Sequence, residues 1–303
     1  MRVIIGLGEA GCNIADQFAK YPQYRIYKID VGLESFEDLV IDVGQDERIK
    51  NFAMQIQQTS EDYEKNCPPM DKFFKDIRDD DEVLFIAGGG GKIMGASLRV
   101  LETIKNSKLS VMYVKPDLEL IGGKKYILDR ISYYVLQEYA RSGMFERIYL
   151  VYNPSLEEMI GDVPVKGYFD KLNETLVQVV HNINSCKQLK PVFENRSDPE
   201  DHVRVSTIGT VHAETGVERM LFPLSDTTDK IFYIGVGKEV LENGEFFKQL
   251  KINMKKKAEL ENVSVSYVIN ETPHENSYVY VVAHTDEIQQ EDNIIRSRNP
   301  KEE

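Results

Sequence analysis

The sequence predicts an α/β protein: a parallel sheet with helices on both faces, a long central helix, and a smaller α+β unit toward the C-terminus. Three observations predict it. Short apolar runs alternate with helical patterns through residue 152, the order in which βαβ units build a parallel sheet. Two of these runs end in glycine-rich turns, at 6–11 and 88–91. One amphipathic stretch, 167–186, separates this half from a second half in which strands and a helix recur.

The elements follow in order. Residues 3–7 form a short apolar run ending in glycine, a buried strand. Residues 9–20 form a helix, with Ile14 and Phe18, and Ala15 and Ala19, at helical spacing. Residues 24–30 alternate as a second strand and end on Asp30. The polar segment 46–78, broken at Cys67-Pro68-Pro69, reads as helices and loops. Strands at 83–87, 110–114 and 147–152 alternate with helices at about 93–105 and 124–142. In 167–186, Leu172, Leu176, Val179, Val180 and Ile183 fall on one stripe. A polar segment, 187–202, leads to a strand at 230–236, a helix at about 239–258, and strands at 263–269 and 277–284. The expected division is 1–186, 187–286 and a charged, disordered tail at 287–303.

Composition narrows the function. The chain has 303 residues, 42% hydrophobic, with 37 Lys+Arg against 50 Asp+Glu and a formal net charge of −13. Such a surface repels phosphate backbones, which argues against broad nucleic-acid binding. Cys12, Cys67 and Cys186 are too scattered for a disulfide framework, so a reducing, cytoplasmic setting is expected. The N-terminus enters a strand pattern directly, and no apolar run approaches the roughly 18 residues of a membrane span. His181, His202, His212, His274 and His284 show no ligand spacing, so no metal site is expected from protein ligands. Lys255-Lys256-Lys257 reads as the solvated face of a helix.

Gly6-Leu7-Gly8-Glu9-Ala10-Gly11 is a GxGxxG between a strand and a helix, and Asp30 ends the next strand. Glycines there let backbone N–H groups approach a pyrophosphate at a helix N-terminus, and the acid suits a ribose hydroxyl. This alone allows an NAD-binding enzyme or a bare packing turn. The second turn, Gly88-Gly89-Gly90-Gly91-Lys92, shifts the weight. Four successive glycines are entropically costly and make sense where several N–H groups crowd one anion. Two such turns on one sheet suggest a nucleoside triphosphate held from two sides. No GxxxxGK[ST] occurs, which excludes a P-loop.

These ordered motifs resemble the tubulin/FtsZ superfamily. Gly8-Glu9-Ala10-Gly11-Cys12-Asn13-Ile14 resembles its first glycine loop, and Asp30 matches the acid after its second strand. Residues 87–95 resemble the tubulin signature, with Gly90 and Lys92 where the family carries threonines. Val114-Lys115-Pro116 and Gly122-Gly123-Lys124-Lys125 are similar to the Lys-Pro segment and its basic follow-on, and Glu119 between them joins the candidate nucleotide contacts. Asn153 stands where the family has an Asn at a strand end. Phe169 and Asn173, at i and i+4 on one helical face, resemble the pair that stacks on guanine and reads its edge; the alternative places Phe169 in the core. Cys12 is either a base contact or a small packing residue. Asp198 and Asp201 resemble the acids of the loop that enters the next subunit's nucleotide pocket. Asp198-Pro199 equally suits a helix N-terminus.

The resemblance implies GTP or GDP with Mg²⁺, self-assembly head to tail into filaments, and hydrolysis at the contact between subunits. It names no cargo or DNA-segregation adaptor. The altered signature and a third-loop region without glycines (45–70) keep a non-hydrolysing scaffold or regulator open, and they fit the divergent members carried by phages and plasmids.

Overall fold

The structure, a computed structural model, describes residues 2–33, 46–213, 215–272, 277–292 and 294. It divides into two compact units, Met1–Val177 and Gln178–Glu303. The division falls within the long helix, upstream of the expected boundary after residue 186.

The first unit is built on six parallel strands. They are β1 (Arg2–Leu7), β2 (Tyr24–Val31), β3 (Ile49–Met54), β4 (Glu82–Gly88), β5 (Lys108–Lys115) and β6 (Arg147–Tyr152). Their spatial order is β3-β2-β1-β4-β5-β6, every pairing parallel. Val3, Ile4, Ile5, Phe85, Ile86, Val111, Tyr113, Ile148 and Leu150 form the buried interior. Strands buried on both faces read as near-continuous apolar runs, which is why the sequence marks these so clearly. The helices are α1 (Gly8–Gln17), α2 (Ser60–Lys65), α3 (Ser97–Thr103), α4 (Lys124–Arg141), α5 (Asn153–Ile160) and α6 (Tyr168–Gln188). A 3₁₀ turn, Phe18–Lys20, ends the segment expected as one helix over 9–20, and another, Lys92–Ala96, opens the one expected over 93–105. α2 starts on a capping box at Thr59, which accepts from the Asp62 N–H while Asp62 reaches back.

β3 lies inside the segment expected to hold only helices and loops. It is the sheet's edge, and only Met54 of its residues is fully buried. A half-exposed edge strand carries little apolar signal.

The second unit orders its strands β8-β12-β10-β11-β7, with β9 on β8. They are β7 (Phe193–Asn195), β8 (Val205–Val211), β9 (Glu218–Met220), β10 (Asp229–Val236), β11 (Ser264–Glu271) and β12 (Tyr278–Thr285). β10 and β11 run parallel, joined through α7 (Lys238–Leu241) and α8 (Gly244–Glu261); the other pairings are antiparallel. Phe232, Ile234, Val236, Tyr267, Ile269 and Val281 form a core against which Phe246, Phe247, Leu250 and Met254 of α8 pack. Lys257 belongs to no free basic face: it pairs with Glu218 at 2.7 Å and Glu261 at 2.8 Å, while Lys230 pairs with the same two acids at 2.7 and 2.6 Å.

Part of the segment expected as a disordered tail is packed into the fold. Gln289 is fully buried and accepts from the Ser225 N–H at 2.8 Å, and Glu291 and Ile294 are also buried. Residues 295–303 lie outside the described residues. Among the described residues, no helix is long and apolar enough to cross a membrane.

Candidate functional site

The sheet order locates a crevice. From β1 the chain winds outward to β2 and β3; from β4 it winds the other way to β5 and β6. Ligands of open parallel sheets bind beyond the carboxyl ends of the strands, where the winding reverses. That point lies between β1 and β4. Leu7 pairs with Ala87 and with Ile29, so both glycine turns and Asp30 emerge side by side. Farther along the same edge, Lys115 pairs with Tyr152, which sets the loop after β5 beside Asn153.

The two turns interlock. A Cβ on Gly6 would overlap the Gly11 carbonyl, and one on Gly11 the carbonyl of Ile86. Gly8 takes φ +71°, and its Cβ would come within 2.8 Å of Ile93 Cγ2 in the segment after the second turn. Gly88 faces Ala10 of α1, where a Cβ would meet the alanine methyl at 2.7 Å. Gly89 has no room for a Cβ because the Asp129 carboxylate and Tyr113 hydroxyl occupy the space, and its N–H donates to Val114 O at 3.0 Å. Gly90 takes φ +84° and would bring a Cβ within 3.3 Å of Lys125 O; Gly91 has only Ile93 Cγ2 nearby, at 3.8 Å. Sequence spacing alone assigns all four glycines to one anion. Close packing accounts for Gly88 and Gly89 without any ligand; Gly90 is itself buried beside Lys125, and Gly91, half-exposed, has the most room around it.

Around the turns, α1 begins at Gly8 with no side-chain cap on its first N–H groups, the orphan donors that favour an anion. Glu9, Ala10 and Asn13 are exposed on its first turns, and Lys92 is exposed after the second turn. Asp30 is half-buried and accepts from the Val31 N–H at 2.8 Å. Burial, with a smaller push from Glu9, raises its pKa despite that hydrogen bond. Cys12 settles into the packing role: it is buried, its thiol lies 3.5 Å from Gly6 O and 3.6 Å from Ile29 O, and burial, reinforced by Asp30, pushes its pKa to about 12. Glu119 is exposed in the loop after β5, its N–H donating to Asp117 Oδ1 at 3.0 Å. Asn153 opens α5 straight from β6, with Pro154 in the first turn.

Phe169 is 60% exposed at the start of α6, so the core alternative for it fails. Its ring sits edge-to-face on Tyr168 at 5.2 Å, and the Tyr168 hydroxyl donates to Glu157 Oε2 of α5 at 2.9 Å. Asn173, one turn on, is half-buried.

In the second unit, Asp198 and Asp201 are both exposed in the connection between β7 and β8. This connection is turn and loop, so the expectation of a helix capped by Asp198 is corrected. Arg196 takes the carboxylate instead, its Nε donating to Asp198 Oδ1 at 2.7 Å. The Ser197 N–H donates to Ser266 Oγ of β11 at 3.0 Å, which pins the loop. Among the described residues, no group of three or more His, Cys, Asp or Glu side chains could hold a metal ion.

No protein-family model and no curated protein matches the sequence. Solved structures do match. CetZ2 from Haloferax volcanii, solved as a GTPγS-bound protofilament, superposes with a TM-score of 0.70 at 14% identity over 98% of both chains. The empty FtsZ dimer of M. jannaschii gives 0.66 at 13% identity, covering 94% of this chain and 88% of that one. TubZ from Bacillus thuringiensis serovar israelensis, a GTPγS-form protofilament, gives 0.64 at 13% identity over 98% and 90%. The chain has the tubulin/FtsZ-superfamily fold.

Proposed function

We propose that this is a cytoplasmic GTP-binding protein of the tubulin/FtsZ kind that assembles head to tail into filaments and hydrolyses GTP where subunits meet. One observation carries the reading: two glycine turns close against each other at the winding reversal, with the half-exposed Gly91 and the uncapped start of α1 beside them. The residues present fit a nucleotide. N–H groups of the first turn of α1 and of Gly90 and Gly91 would bind the phosphates. Lys92 would add a charge-assisted contact in place of the missing threonine hydroxyls. Asp30 would take a ribose hydroxyl, with Glu119 and Asn153 along the same edge. The exposed Phe169 ring would stack on the base, and Asn173 would read its edge. A Mg²⁺ ion would draw most of its oxygens from phosphate and water, its ordinary habit.

Asp198 and Asp201 of a second copy would orient an attacking water and accept its proton. A contact in which one surface meets a different surface of the next copy does not close, and so extends into a filament. CetZ2 and TubZ are described as protofilaments, which supports this geometry here. A phage- or plasmid-borne origin would suit the altered signature.

A second reading, a non-hydrolysing scaffold, is favoured by the Arg196–Asp198 pair, which ties up one of the two acids. Calorimetric titration with GTP and with NAD, followed by electron microscopy with and without GTP, tests the proposal. GTP binding and GTP-dependent filaments are expected; binding of NAD alone would overturn it. Phosphate release above the assembly threshold separates the GTPase from the scaffold.

A further inference from the structure

Lys115 ends β5, and Asp129 lies in the second turn of α4. Both side chains are fully buried and pair directly. Asp129 Oδ1 also accepts from the Tyr113 hydroxyl at 2.6 Å, and its backbone carbonyl accepts from the same hydroxyl at 3.0 Å. Lys115 Nζ stands 4.3 Å from the ring centroid of Tyr133, one turn further along α4. Stripping water from two ions costs several kcal/mol each, so an apolar pair of equal volume serves stability as well or better. What an ion pair with added hydrogen bonds supplies, and an apolar contact lacks, is a single fixed register.

That register meets the second glycine turn. The Cα of Gly89 lies against the Asp129 carboxylate and Tyr113 hydroxyl, and the Gly89 N–H is held by Val114, next to Lys115. Gly90 in turn abuts Lys125, one turn before Asp129 on α4. We propose that the buried Lys115–Asp129 pair is a positioning device for the second glycine turn: it locks α4 to β5 and so fixes the aim of the Gly90 and Gly91 amides at an anion. The proposal rests on the reading above that this turn cradles phosphate.

The test uses the whole chain. Lys115→Met and Asp129→Asn each strand a buried partner and are expected to lower the melting temperature. The double variant Lys115→Met/Asp129→Leu removes both charges and refills the space. Three quantities are read for each: melting temperature, GTPγS affinity by calorimetry, and hydrogen exchange of the Gly89–Gly91 amides without nucleotide. The double variant is expected to melt near wild type, yet to bind GTPγS about tenfold more weakly and to exchange those amides about tenfold faster. Wild-type affinity and exchange in the double variant would overturn the proposal. If the double variant does not fold, Tyr113→Phe, which deletes the hydroxyl's hydrogen bonds to Asp129 and no charge, decides: faster exchange at Gly89–Gly91 supports the device, unchanged exchange sinks it. Failure of the wild-type chain to bind GTPγS would defeat the nucleotide reading instead, and the exchange data would still judge the positioning.

Discussion

Replacing Gly90 by alanine would separate a phosphate cradle from a turn that merely needs glycine. Gly90 sits at φ +84°, where an L side chain costs about 1–2 kcal/mol. Its new Cβ would lie 3.3 Å from Lys125 O and 3.5 Å from Lys125 Cβ, so the turn is pressed from the α4 side and escapes by rotating away. Strain retained in the native state lowers the melting temperature by about 2–3 °C for a chain of this size. Strain relieved by rotation re-aims the Gly90 and Gly91 N–H groups, and each ~1.4 kcal/mol of lost contact is tenfold in affinity. Gly216→Ala is the control. It takes φ +69° with nothing within 4 Å of its Cβ, in the connection between β8 and β9. Scanning calorimetry should find comparable thermal losses in the two variants, and titration should find GTP binding weakened about tenfold in Gly90→Ala alone. Undiminished GTP affinity in a folded Gly90→Ala would refute the cradle.

Phe169→Ala should weaken guanine-nucleotide binding by about 1–3 kcal/mol, the scale of one stacked base. Its melting temperature should barely move, since the ring is already 60% exposed; unchanged affinity in a titration would remove Phe169 from the site. Asp201→Ala should bind GTP normally and lose turnover, and wild-type turnover per subunit should rise with protein concentration; a rate flat across a wide dilution series would reject a shared site. At Glu261, burial alone would raise the pKa, but hydrogen bonds from Lys230 and Lys257 outweigh it and hold the carboxyl below its ordinary 4.5. A depressed carboxylate contributes stability that is complete above the unfolded value and lost as pH falls through the folded one. Melting curves should therefore drop more steeply below pH 4.5 in wild type than in Glu261→Gln; parallel profiles would show that the quartet contributes little.

The first sheet was legible because its central strands are buried on both faces and written almost wholly in Val, Ile, Leu, Phe and Tyr. Strands that bury polar groups escaped. β8 reads Val-Ser-Thr-Ile-Gly-Thr-Val, and Ser206 and Thr207 are buried all the same, Ser206 meeting His284 Nδ1 of β12 at 2.7 Å. Nothing local signals a hydroxyl whose partner lies 78 residues away. β7 and β9 are three residues each and exist by pairing with longer neighbours. At the site, the glycine spacing located the turns, but the reason for each glycine did not follow from spacing. Gly89 is glycine because of Asp129, and Gly95 because the backbone of Ser60 in α2 occupies its Cβ position. Asp129 itself passed unnoticed, since a lone acid in a helix reads as surface. Of the two readings open for Asp198, the helix cap fails: Asp-Pro carries that local signature, but Arg196 and Ser266 hold the segment in a loop.

β1 must wait for its second neighbour. β1 is flanked on both sides in the finished sheet, and Arg2 at its start bonds to Glu82 at the start of β4, 80 residues downstream. At a ribosomal pace of about 5–20 residues per second, its second edge stays bare for about 4–16 s. During that interval an almost wholly aliphatic ribbon has β2 on one flank and nothing on the other. The nascent chain is therefore most exposed to mispairing at β1, and slowing translation between β1 and β4 should cost soluble yield more than slowing it afterwards.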